Sequence, residues 1–302
     1  MISLVSKCLL LLLLASLPMG HAGALTFVHP PPESPGDERH RYYWELLESA
    51  LDANRDTYGD YRMQPSAQPI TFARAVAELE SGAGVVNIVS RATSRDLERR
   101  LRPIRIPLDK GLLGARLFLT MPATQARLNQ ATTLADLRRF TVGQNAAWTD
   151  VAILRSAGFQ LVLSDGYAAM FEMLGAGRFD LFARGAIEIN SELRSFAPVV
   201  PGMAIDPRFL LHYPMPRYFF VARSSAGERM AERIEDGLRR LRASGEFERR
   251  YQAYKRLVLK DLNLAGRVVI RLPNPELSDQ TPLGDPYWWD DLAAELKPAR
   301  KP

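Results

Sequence analysis

The order of the predicted elements indicates an α/β fold made of two successive units. Between residues 25 and 89, short apolar runs alternate with segments of helical periodicity in the order strand, helix, strand, helix, strand. A second alternation starts near residue 120 and runs to Ala183, and an apolar strand and two long helical segments follow it. Such alternation is typical of a sheet with helices packed on its faces.

The first unit has sequence signals at most of its boundaries. Its predicted strands are Leu25–His29, Tyr61–Gln64 and Val85–Val89, and its predicted helices are 38–53 and a segment marked by Phe72, Val76 and Leu79. Three prolines end the first strand, and Asp37 is placed to cap the first helix. The residues of the first helix at helical spacing, and therefore predicted to be buried, are Tyr43, Leu47, Ala50 and Leu51.

The second unit repeats the pattern. Its predicted helices are Leu134–Arg138, Val151–Ala157 and a segment from a cap at Asp165 to Leu174, and its predicted strands are Phe140–Gly143, Phe159–Leu163 and Phe179–Ala183. Met215–Ala222 is predicted to be a strand leading away from this unit. Helices are predicted over about 226–243 and 245–257, and the tail after Gly266 is too rich in proline for a long helix. The residues on one face of these helices at helical spacing are Met230, Ile234, Leu238 and Leu241.

The first 24 residues have the layout of a secretory signal peptide. Lys7 precedes a leucine-rich run that ends at Ala15, and small residues at 22–24 form a cleavage pattern. The apolar run is shorter than the roughly 20 residues that a membrane-spanning helix needs. A buried N-terminal helix is the alternative interpretation. We expect cleavage after Ala24 and export to the periplasm as a soluble protein.

The composition argues against several classes of function. Cys8, the one cysteine, lies before the apolar run of the predicted signal, so we expect neither a disulfide in the mature chain nor a lipoprotein anchor. The net charge of +5 is spread along the chain without a recognised nucleic-acid motif, so nucleic-acid binding is not expected. The four histidines show no metal-binding spacing, and no metal or cofactor is expected.

Four sequence blocks in the mature chain have counterparts in a known family. They are TSRDLERRLRPIRIP at Thr93–Pro107, LADLRRFTVGQN at Leu134–Asn145, MLGAGRFDLF at Met173–Phe182, and the segment Ser244–Tyr254. Through these blocks the chain resembles the family 3 extracellular solute-binding proteins, the polar amino acid-type binding components of ABC importers. The resemblance implies a type II periplasmic binding protein-like fold, with two α/β lobes joined by two crossing strands.

The resemblance also suggests how the chain divides into lobes. Residues 1–24 are assigned to the signal peptide, 25–115 to the first part of lobe I, and 116–217 to lobe II. Residues 218–302 are assigned to the return helices of lobe I and a proline-rich C-terminal tail.

The chain departs from the family pattern where amino acid binders hold the ligand ammonium. In those binders an arginine of the first lobe pairs with the ligand carboxylate, and an acid after the "GR-x-D" strand takes the ammonium. The resemblance implies Arg99 or Arg100 for the arginine, whereas the acid position falls at about Gly185. Because an unpaired ammonium is costly to bury, we expect an anionic or neutral polar ligand.

The loop Asn145–Asp150 is a candidate ligand contact because it follows a predicted strand and opens a helix. Free N–H groups at the start of the helix would favour an anionic group. Asn145 and Asp150 bound this loop, Trp148 is predicted to stack on the ligand, and Thr149 to hydrogen-bond to it. The alternative is that Thr149 or Asp150 only caps the helix and that Trp148 only packs within the lobe.

Other candidates follow other predicted strands. Arg184 has a planar guanidinium suited to a carboxylate or phosphate, and the alternative is a hinge ion pair with Glu188. Tyr213 and Arg217 flank the return crossing and are candidate hinge residues. The candidates after the first and third strands are His29, Glu33, Asp37, Arg91 and Thr93. For His29, Glu33 and Asp37 a surface turn is the alternative interpretation.

These observations predict reversible capture of a small polar solute, with closure of two lobes around it. The expected partners are the solute and an ABC permease or, alternatively, a membrane sensor kinase, and the protein is expected to be a monomer. Some enzymes resemble this family, including periplasmic dehydratases of cyclohexadienyl acids, in which Glu188 would act as a general acid. No His–Cys or His–Ser pair has motif context, so we expect a binding protein rather than an enzyme.

Overall fold

The computed structural model describes residues 24–32 and 39–297 of the 302-residue chain. All of the predicted signal peptide except Ala24 lies outside the described residues, as do the candidates Glu33 and Asp37. Within them the chain has the expected α/β architecture, and the predicted strands and helices occur in the predicted order among further elements that were not predicted.

Within the described residues, the strands are β1 (Leu25–His29), β2 (Tyr61–Pro65), β3 (Ile88–Ala92), β4 (Arg102–Ile104), β5 (Ala115–Thr120), β6 (Thr141–Asn145), β7 (Gln160–Ser164), β8 (Leu181–Gly185), β9 (Ala204–Ile205), β10 (Phe209–His212), β11 (Arg217–Val221) and β12 (Val268–Arg271). The α-helices of the same residues are α1 (Arg41–Asp52), α2 (Arg55–Tyr58), α3 (Phe72–Ser81), α4 (Arg95–Arg100), α5 (Pro122–Leu128), α6 (Leu134–Leu137), α7 (Asp150–Ser156), α8 (Tyr167–Gly175), α9 (Ile189–Phe196), α10 (Ser225–Ala243), α11 (Glu246–Val258) and α12 (Ala293–Leu296).

The first sheet region is formed by two groups of strands that one asparagine joins. β1 pairs with β2 in parallel, and β11 lies antiparallel between β3 and β4. Asn87, just before β3, donates from its backbone N–H to Val28 O (2.9 Å) and from its side chain to Thr26 O (2.7 Å). Its side-chain oxygen accepts from Val28 N–H at 2.8 Å. These bonds take the place of a regular ladder between β1 and β3.

The second sheet has the strand order β12-β10-β5-β8-β6-β7, and β9 also pairs with β5. β6 is parallel to β7 and β8, whereas β5 is antiparallel to β8 and to β10. The chain enters this sheet at β5 and leaves it after β10. It returns to the first sheet at β11, so the two regions are joined at the start of β5 and between β10 and β11.

The predicted buried faces of the helices are confirmed. The residues predicted for one face of α1, and buried in the structure, are Tyr43, Leu47, Ala50 and Leu51. Those of α10 are Met230, Ile234, Leu238 and Leu241. The two helices pack closely, since a Cβ on Gly237 of α10 would lie 2.1 Å from the backbone oxygen of Ala50.

Two predicted strands are displaced toward the C-terminus. Antiparallel pairing with β11 places the third strand at Ile88–Ala92 rather than at 85–89, and Val85 is 41% exposed. Pairing with β5 likewise places β8 at Leu181–Gly185 rather than at 179–183. Arg184 therefore lies inside the strand and not after it.

The predicted cap of α8 is also wrong. Gly166 rather than Asp165 is the N-cap residue, and α8 has no side-chain cap.

The C-terminal tail bridges the two sheet regions, although the sequence placed it with the first lobe. β12 pairs in parallel with β10, whose edge it covers, at the margin of the second sheet. The segment that follows returns to the first lobe, where Arg95 donates from its backbone to Glu276 O (3.0 Å) and from its side chain to Leu277 O (2.9 Å). Farther on, Trp288 packs edge-to-face on Phe247 of α11, with ring centroids 5.2 Å apart.

Candidate functional site

An arginine in the apolar strand β5 organises a buried polar network. Arg116 is 3% exposed, and its guanidinium contacts the Asp150 carboxylate at 2.8 Å through Nε and 3.0 Å through Nη2. The Tyr213 hydroxyl donates to Asp150 at 2.5 Å and accepts from Arg116 Nε at 3.1 Å. Burial lowers the pKa of Arg116, but Asp150, Tyr213 and Glu188 together outweigh burial and hold that pKa above its ordinary value. The guanidinium is therefore charged.

Arg184 on β8 forms the second part of the network. Its Nε and Nη2 donate to the two carboxylate oxygens of Glu192 at 2.7 and 2.5 Å, and Nη2 lies 2.9 Å from Glu188 Oε1. Tyr167 donates to Glu192 at 2.8 Å. The guanidinium of Arg184, predicted from the sequence to bind a ligand, is therefore paired with Glu192 and Glu188. The predicted ion pair with Glu188 is present.

The loop from β6 to α7 supplies the aromatic wall of this network. The guanidinium carbon of Arg184 lies 4.2 Å from the centroid of a Trp148 ring, a cation–π contact. Asn145 donates to Asp165 O (2.9 Å) and accepts from Ala147 N–H (3.0 Å), so it shapes the loop that carries Trp148.

The N-terminus of α7 is a poor site for an anion because a carboxylate already lies there. Thr149 is the N-cap residue without a side-chain cap bond, and α7 has only seven residues. The Asp150 carboxylate lies in its first turn and turns to Arg116. An anion placed at this helix start would therefore meet a carboxylate as well as backbone N–H groups.

Position 185 carries no acid, as the sequence shows, but a carboxylate from the following turn lies beside it. A Cβ on Gly185 would lie 2.7 Å from Arg116 Nη1 and 3.1 Å from Glu188 Oε1. Glu188 Oε1 also accepts the Gly185 N–H at 3.1 Å. The carboxylate of Glu188, from the turn after the strand, thus occupies the space into which an acid at position 185 would project.

The network has two guanidiniums and three carboxylates. All five side chains are buried or nearly so. Burial raises the pKa of Glu188, but Arg184 and Arg116 outweigh it and hold that pKa below its ordinary value. Glu188 is therefore ionised at neutral pH. The formal charges of the two guanidiniums and three carboxylates sum to −1.

A cavity of about 420 Å³ lies in the first lobe, where β1 and β3 end and α3 begins. Its lining residues are Pro30, Pro31, His40, Trp44, Pro69, Ile70, Thr71, Phe72, Ala75, Val89, Ser90 and Arg91. Among these lining residues, all in the described part of the chain, none is acidic. His29, a candidate ligand contact from the sequence, stacks on the lining residue Trp44 with ring centroids 4.3 Å apart. The Arg91 guanidinium lies 4.0 Å from the centroid of the Phe72 ring.

Two enclosed polar atoms stand beside this cavity without a hydrogen-bond partner among the described residues. They are Ser90 Oγ and Arg217 Nε. Arg217 uses another nitrogen, Nη1, to donate to Ser90 O at 3.2 Å, and that nitrogen lies 3.3 Å from His40 Nδ1. A buried polar atom without a partner costs free energy unless water or a ligand satisfies it.

The crossing segment 213–217 connects the buried network to the cavity. Tyr213 binds Asp150 of the network, and Arg217 at the other end contacts Ser90 and His40 of the cavity. Four residue steps span at most about 14 Å, so the two groups lie close together. The predicted hinge residues thus each contact one of the two polar groups.

Two first-lobe candidates do not line the cavity. Thr93 is buried and donates to Glu98 at 2.6 Å. Arg100, 42% exposed at its side chain, pairs with Glu80 at 2.6 Å on the surface, and Arg99 pairs with Asp96 at 2.8 Å. α4 directs both arginines outward, and the guanidinium at the cavity belongs to Arg91.

Several residues of the site were not found from the sequence. They are Arg116, Glu192, Tyr167, Trp44 and His40. Arg116 could have been predicted as a site residue, because an arginine inside the apolar strand sequence ARLFLT must be paired if it is buried. No sequence pattern marked Trp44 as a site residue, since an aromatic residue on an amphipathic helix most often indicates core packing.

A larger groove of about 1150 Å³ lies between α1, α9 and α11. Its walls include charged side chains that are already paired on one helix, such as Arg41 with Glu45 (2.7 Å) and Arg250 with Glu246 (2.7 Å). Small-molecule sites are usually apolar with a few polar groups. The smaller cavity fits that description better.

Within the described residues, no helix combines the length and apolarity needed to cross a membrane. The same residues contain no group of three or more His, Cys, Asp and Glu side chains arranged to hold a metal ion.

Comparison with known proteins shows the fold. No family model and no curated protein matches the sequence. An ancestral arginine-binding protein bound to arginine is 16% identical, with a TM-score of 0.53 over 77% of this chain and 98% of that one. A histidine kinase sensor domain with similarity to periplasmic binding proteins is 16% identical, with a TM-score of 0.51 over 77% and 96%.

A third similar structure was determined in a study of glutathione import via GshT and the cystine ABC importer TcyBC of Streptococcus mutans. It is 12% identical, with a TM-score of 0.53 over 76% of this chain and 95% of that one. The likeness to these structures and the mixed strand directions of the second sheet show that the chain has a type II periplasmic binding protein-like α/β fold.

Proposed function

We propose that the protein is an exported solute-binding protein that captures a small polar solute between two lobes. The observation that carries the proposal is the pair of polar groups at the two ends of the crossing segment 213–217. On one side lies the buried network around Arg116 and Arg184. On the other lies the cavity with the Ser90 hydroxyl, which has no hydrogen-bond partner among the residues that the structure describes. Capture would stabilise the closed form only through contacts that are stronger in that form.

Delivery of the solute to an ABC permease is the proposed role. One similar structure comes from work on import through an ABC importer, and another is a histidine kinase sensor domain, so presentation to a membrane sensor kinase is the second candidate. A permease and an ATPase encoded beside this protein would favour import, whereas a neighbouring kinase would favour sensing.

Binding is a better proposal than catalysis because of the charge state of Glu188. A general acid must carry a proton near the operating pH. Arg184 and Arg116 hold Glu188 ionised, and its Oε1 accepts the Gly185 N–H, so it has no proton to give. Incubation of a bound solute with the protein, followed by chromatography, should return the solute unchanged. Conversion by the wild type but not by Glu188→Gln would contradict this proposal.

Export is tested at the N-terminus. We expect mass spectrometry of the protein from a periplasmic extract to show a mature chain that begins after Ala24. An intact chain that starts at Met1 in the cytoplasmic fraction would contradict the proposed location.

Solute capture is tested with protein that has been unfolded and refolded to remove bound compounds. A thermal-shift screen with amino acids, organic acids, sugars and polyamines should find at least one stabilising class. A ligand at 100 times its dissociation constant adds about 2.7 kcal/mol of stability, which is readily measured. Small-angle scattering should show a decrease in radius of gyration with that ligand. No stabilising compound, and no small molecule released from the native protein on denaturation, would contradict the proposal.

A further inference from the structure

We propose that the C-terminal segment 266–292 is a clamp that limits how far the two lobes open. This inference rests on the proposed capture of a solute between two lobes and concerns the regulation of that closure. The segment, here called the clamp, contacts both sheet regions and both crossings between them.

The clamp begins on the second sheet. β12 lies parallel to β10, and backbone bonds run from Val268 N–H to Arg208 O (2.7 Å) and from Leu272 N–H to His212 O (3.0 Å). Leu272 is 4% exposed and belongs to the same apolar cluster as Phe209 of β10. The strand ladder and the buried apolar contact together hold this end of the clamp on the second sheet.

The clamp then contacts both crossings between the sheet regions. Asn274 donates from its side chain to Pro214 O at 2.8 Å, in the crossing from β10 to β11. Asp290 donates from its backbone N–H to Lys110 O at 2.8 Å, in the crossing that leads to β5. Hinge motion changes the backbone torsions of a few residues in such crossings. Contacts with the backbone of both crossings therefore restrain that motion.

The end of the clamp is held between the second of these crossings and α11. The Trp289 ring packs so closely on Gly111 that a Cβ at position 111 would lie 2.7 Å from Trp289 Cε3. The Asp290 carboxylate accepts hydrogen bonds from Tyr251 at 2.6 Å and from Lys255 at 2.7 Å, both on α11. Lys255 is 5% exposed, and loss of the partner of a buried charge is strongly destabilising. This end of the clamp therefore stays bound to the first lobe.

The middle of the clamp is bound to the first lobe through α4. Arg95 donates from its backbone N–H to Glu276 O at 3.0 Å and from Nε to Leu277 O at 2.9 Å. Ser278 donates to the Glu98 carboxylate at 2.8 Å. Because Glu98 is 4% exposed, a hydrogen bond to its charge is costly to break without a replacement.

The connection between the two sheet regions within the clamp is short and stiff. Four residue steps separate Leu272, bound to the second sheet, from Glu276, bound to α4, and they span at most about 14 Å. Pro273 and Pro275 lie within this stretch, and each fixes its own φ angle. Two bodies that are joined at two points can still rotate about the line through those points. A stiff third connection restricts that rotation and therefore the opening of the lobes.

The distance between the lobes in ligand-free protein tests the clamp. Ala77→Cys on α3 and Ala168→Cys on α8 place one exposed spin label on each lobe, and Cys8→Ser removes the one native cysteine. Six Gly and Ser residues inserted between Pro273 and Asn274 add a mean reach of about 13 Å to the connection. We expect double electron–electron resonance to show a mean distance between the labels that is longer by about 5 Å or more, and a broader distribution.

The matched control is the same six-residue insertion between Leu283 and Gly284. Leu283 is 53% exposed, and the clamp binds the first lobe on both sides of it, through Ser278 and Asp285. This control insertion should leave the distance between the labels unchanged. An unchanged distance with the first insertion, or an equal increase with both insertions, would overturn the inference.

A pair of point variants decides the question if the first insertion prevents folding, which thermal unfolding of each variant checks. Asn274→Ala removes the hydrogen bond to Pro214 and should broaden the distance distribution in the same direction. Asn263→Ala is the control, because the Asn263 side chain accepts from Ala265 N–H within its own loop, and it should leave the distribution unchanged. Equal distributions for the two point variants would then overturn the inference.

The measurement uses no ligand, so its outcome is separate from that of the solute screen. If the first insertion lengthens the distance and no compound binds, the clamp stands and solute capture is overturned. If a solute binds and the first insertion leaves the distance unchanged, solute capture stands and the clamp is overturned.

Discussion

The buried carboxyl of Asp109 should make the stability of the protein depend on pH. Asp109 lies between β4 and β5, is fully buried, and accepts a hydrogen bond from Tyr43 at 3.0 Å. Its other oxygen has no partner among the described residues. Burial raises the pKa of Asp109 to about 6, because the opposing effects of Arg217 and Tyr43 are smaller.

The direction of this pH dependence follows from the number of protons that each state binds. Between the unfolded pKa, about 3.9, and the folded pKa, about 6, the native state holds more protons on Asp109 than the unfolded state does. Stability contributed by this residue therefore falls as pH rises from about 4 to 6 and stays lost above that. A difference of about two pKa units corresponds to about 3 kcal/mol. Neutral asparagine accepts the same Tyr43 hydrogen bond without this cost.

The assay is urea unfolding of wild type, Asp109→Asn and Asp60→Asn at pH 4, 5, 6 and 7. Relative to wild type, Asp109→Asn should gain about 2 kcal/mol of unfolding free energy between pH 4 and pH 7, because the unfolded carboxyl is already about half ionised at pH 4. Asp60, whose side chain is 83% exposed, is the control and should leave the profile of wild type unchanged. If the unfolding free energies of wild type and Asp109→Asn change with pH in parallel, the argument is refuted. The Asp109 carboxyl would then have the same pKa in the folded and unfolded states.

Three further substitutions test the packing and charges of the fold, each by urea unfolding. Glu192→Gln removes the charge that Arg184 contacts in the interior and should cost about 3–5 kcal/mol; a cost below 1 kcal/mol would show that the pair is not buried as described. Gly185→Asp adds a carboxylate beside Glu188 and should lower stability by about 2 kcal/mol or more, and equal stability at pH 7 would contradict the crowding there. Trp288→Ala should cost about 3–5 kcal/mol if the tail is bound to α11, whereas a wild-type midpoint would show that it is not.

Parts of the candidate site were predictable because the signals are local. Asn145, Trp148, Asp150, Arg184 and Glu188 all follow or end strands that the sequence indicates. Apart from Asn145, which shapes the loop, the structure brings them into one network. What they contact was not predictable. Asp150 pairs with an arginine 34 residues earlier in the chain, and that contact depends on how β5 and α7 meet.

The sequence by itself determined the elements of the two βα alternations and the buried faces of α1 and α10, whereas β5 and β10 of the second sheet were not predicted. Such features follow from the spacing of apolar residues along one segment, which needs no distant partner. Only the tertiary structure decided the limits of β3 and β8, the placement of the tail strand on β10, and the carboxylate that fills the space at Gly185. Strand register and ion pairing depend on residues far apart in sequence. A local pattern cannot specify them until the sheets assemble and bury the charges together.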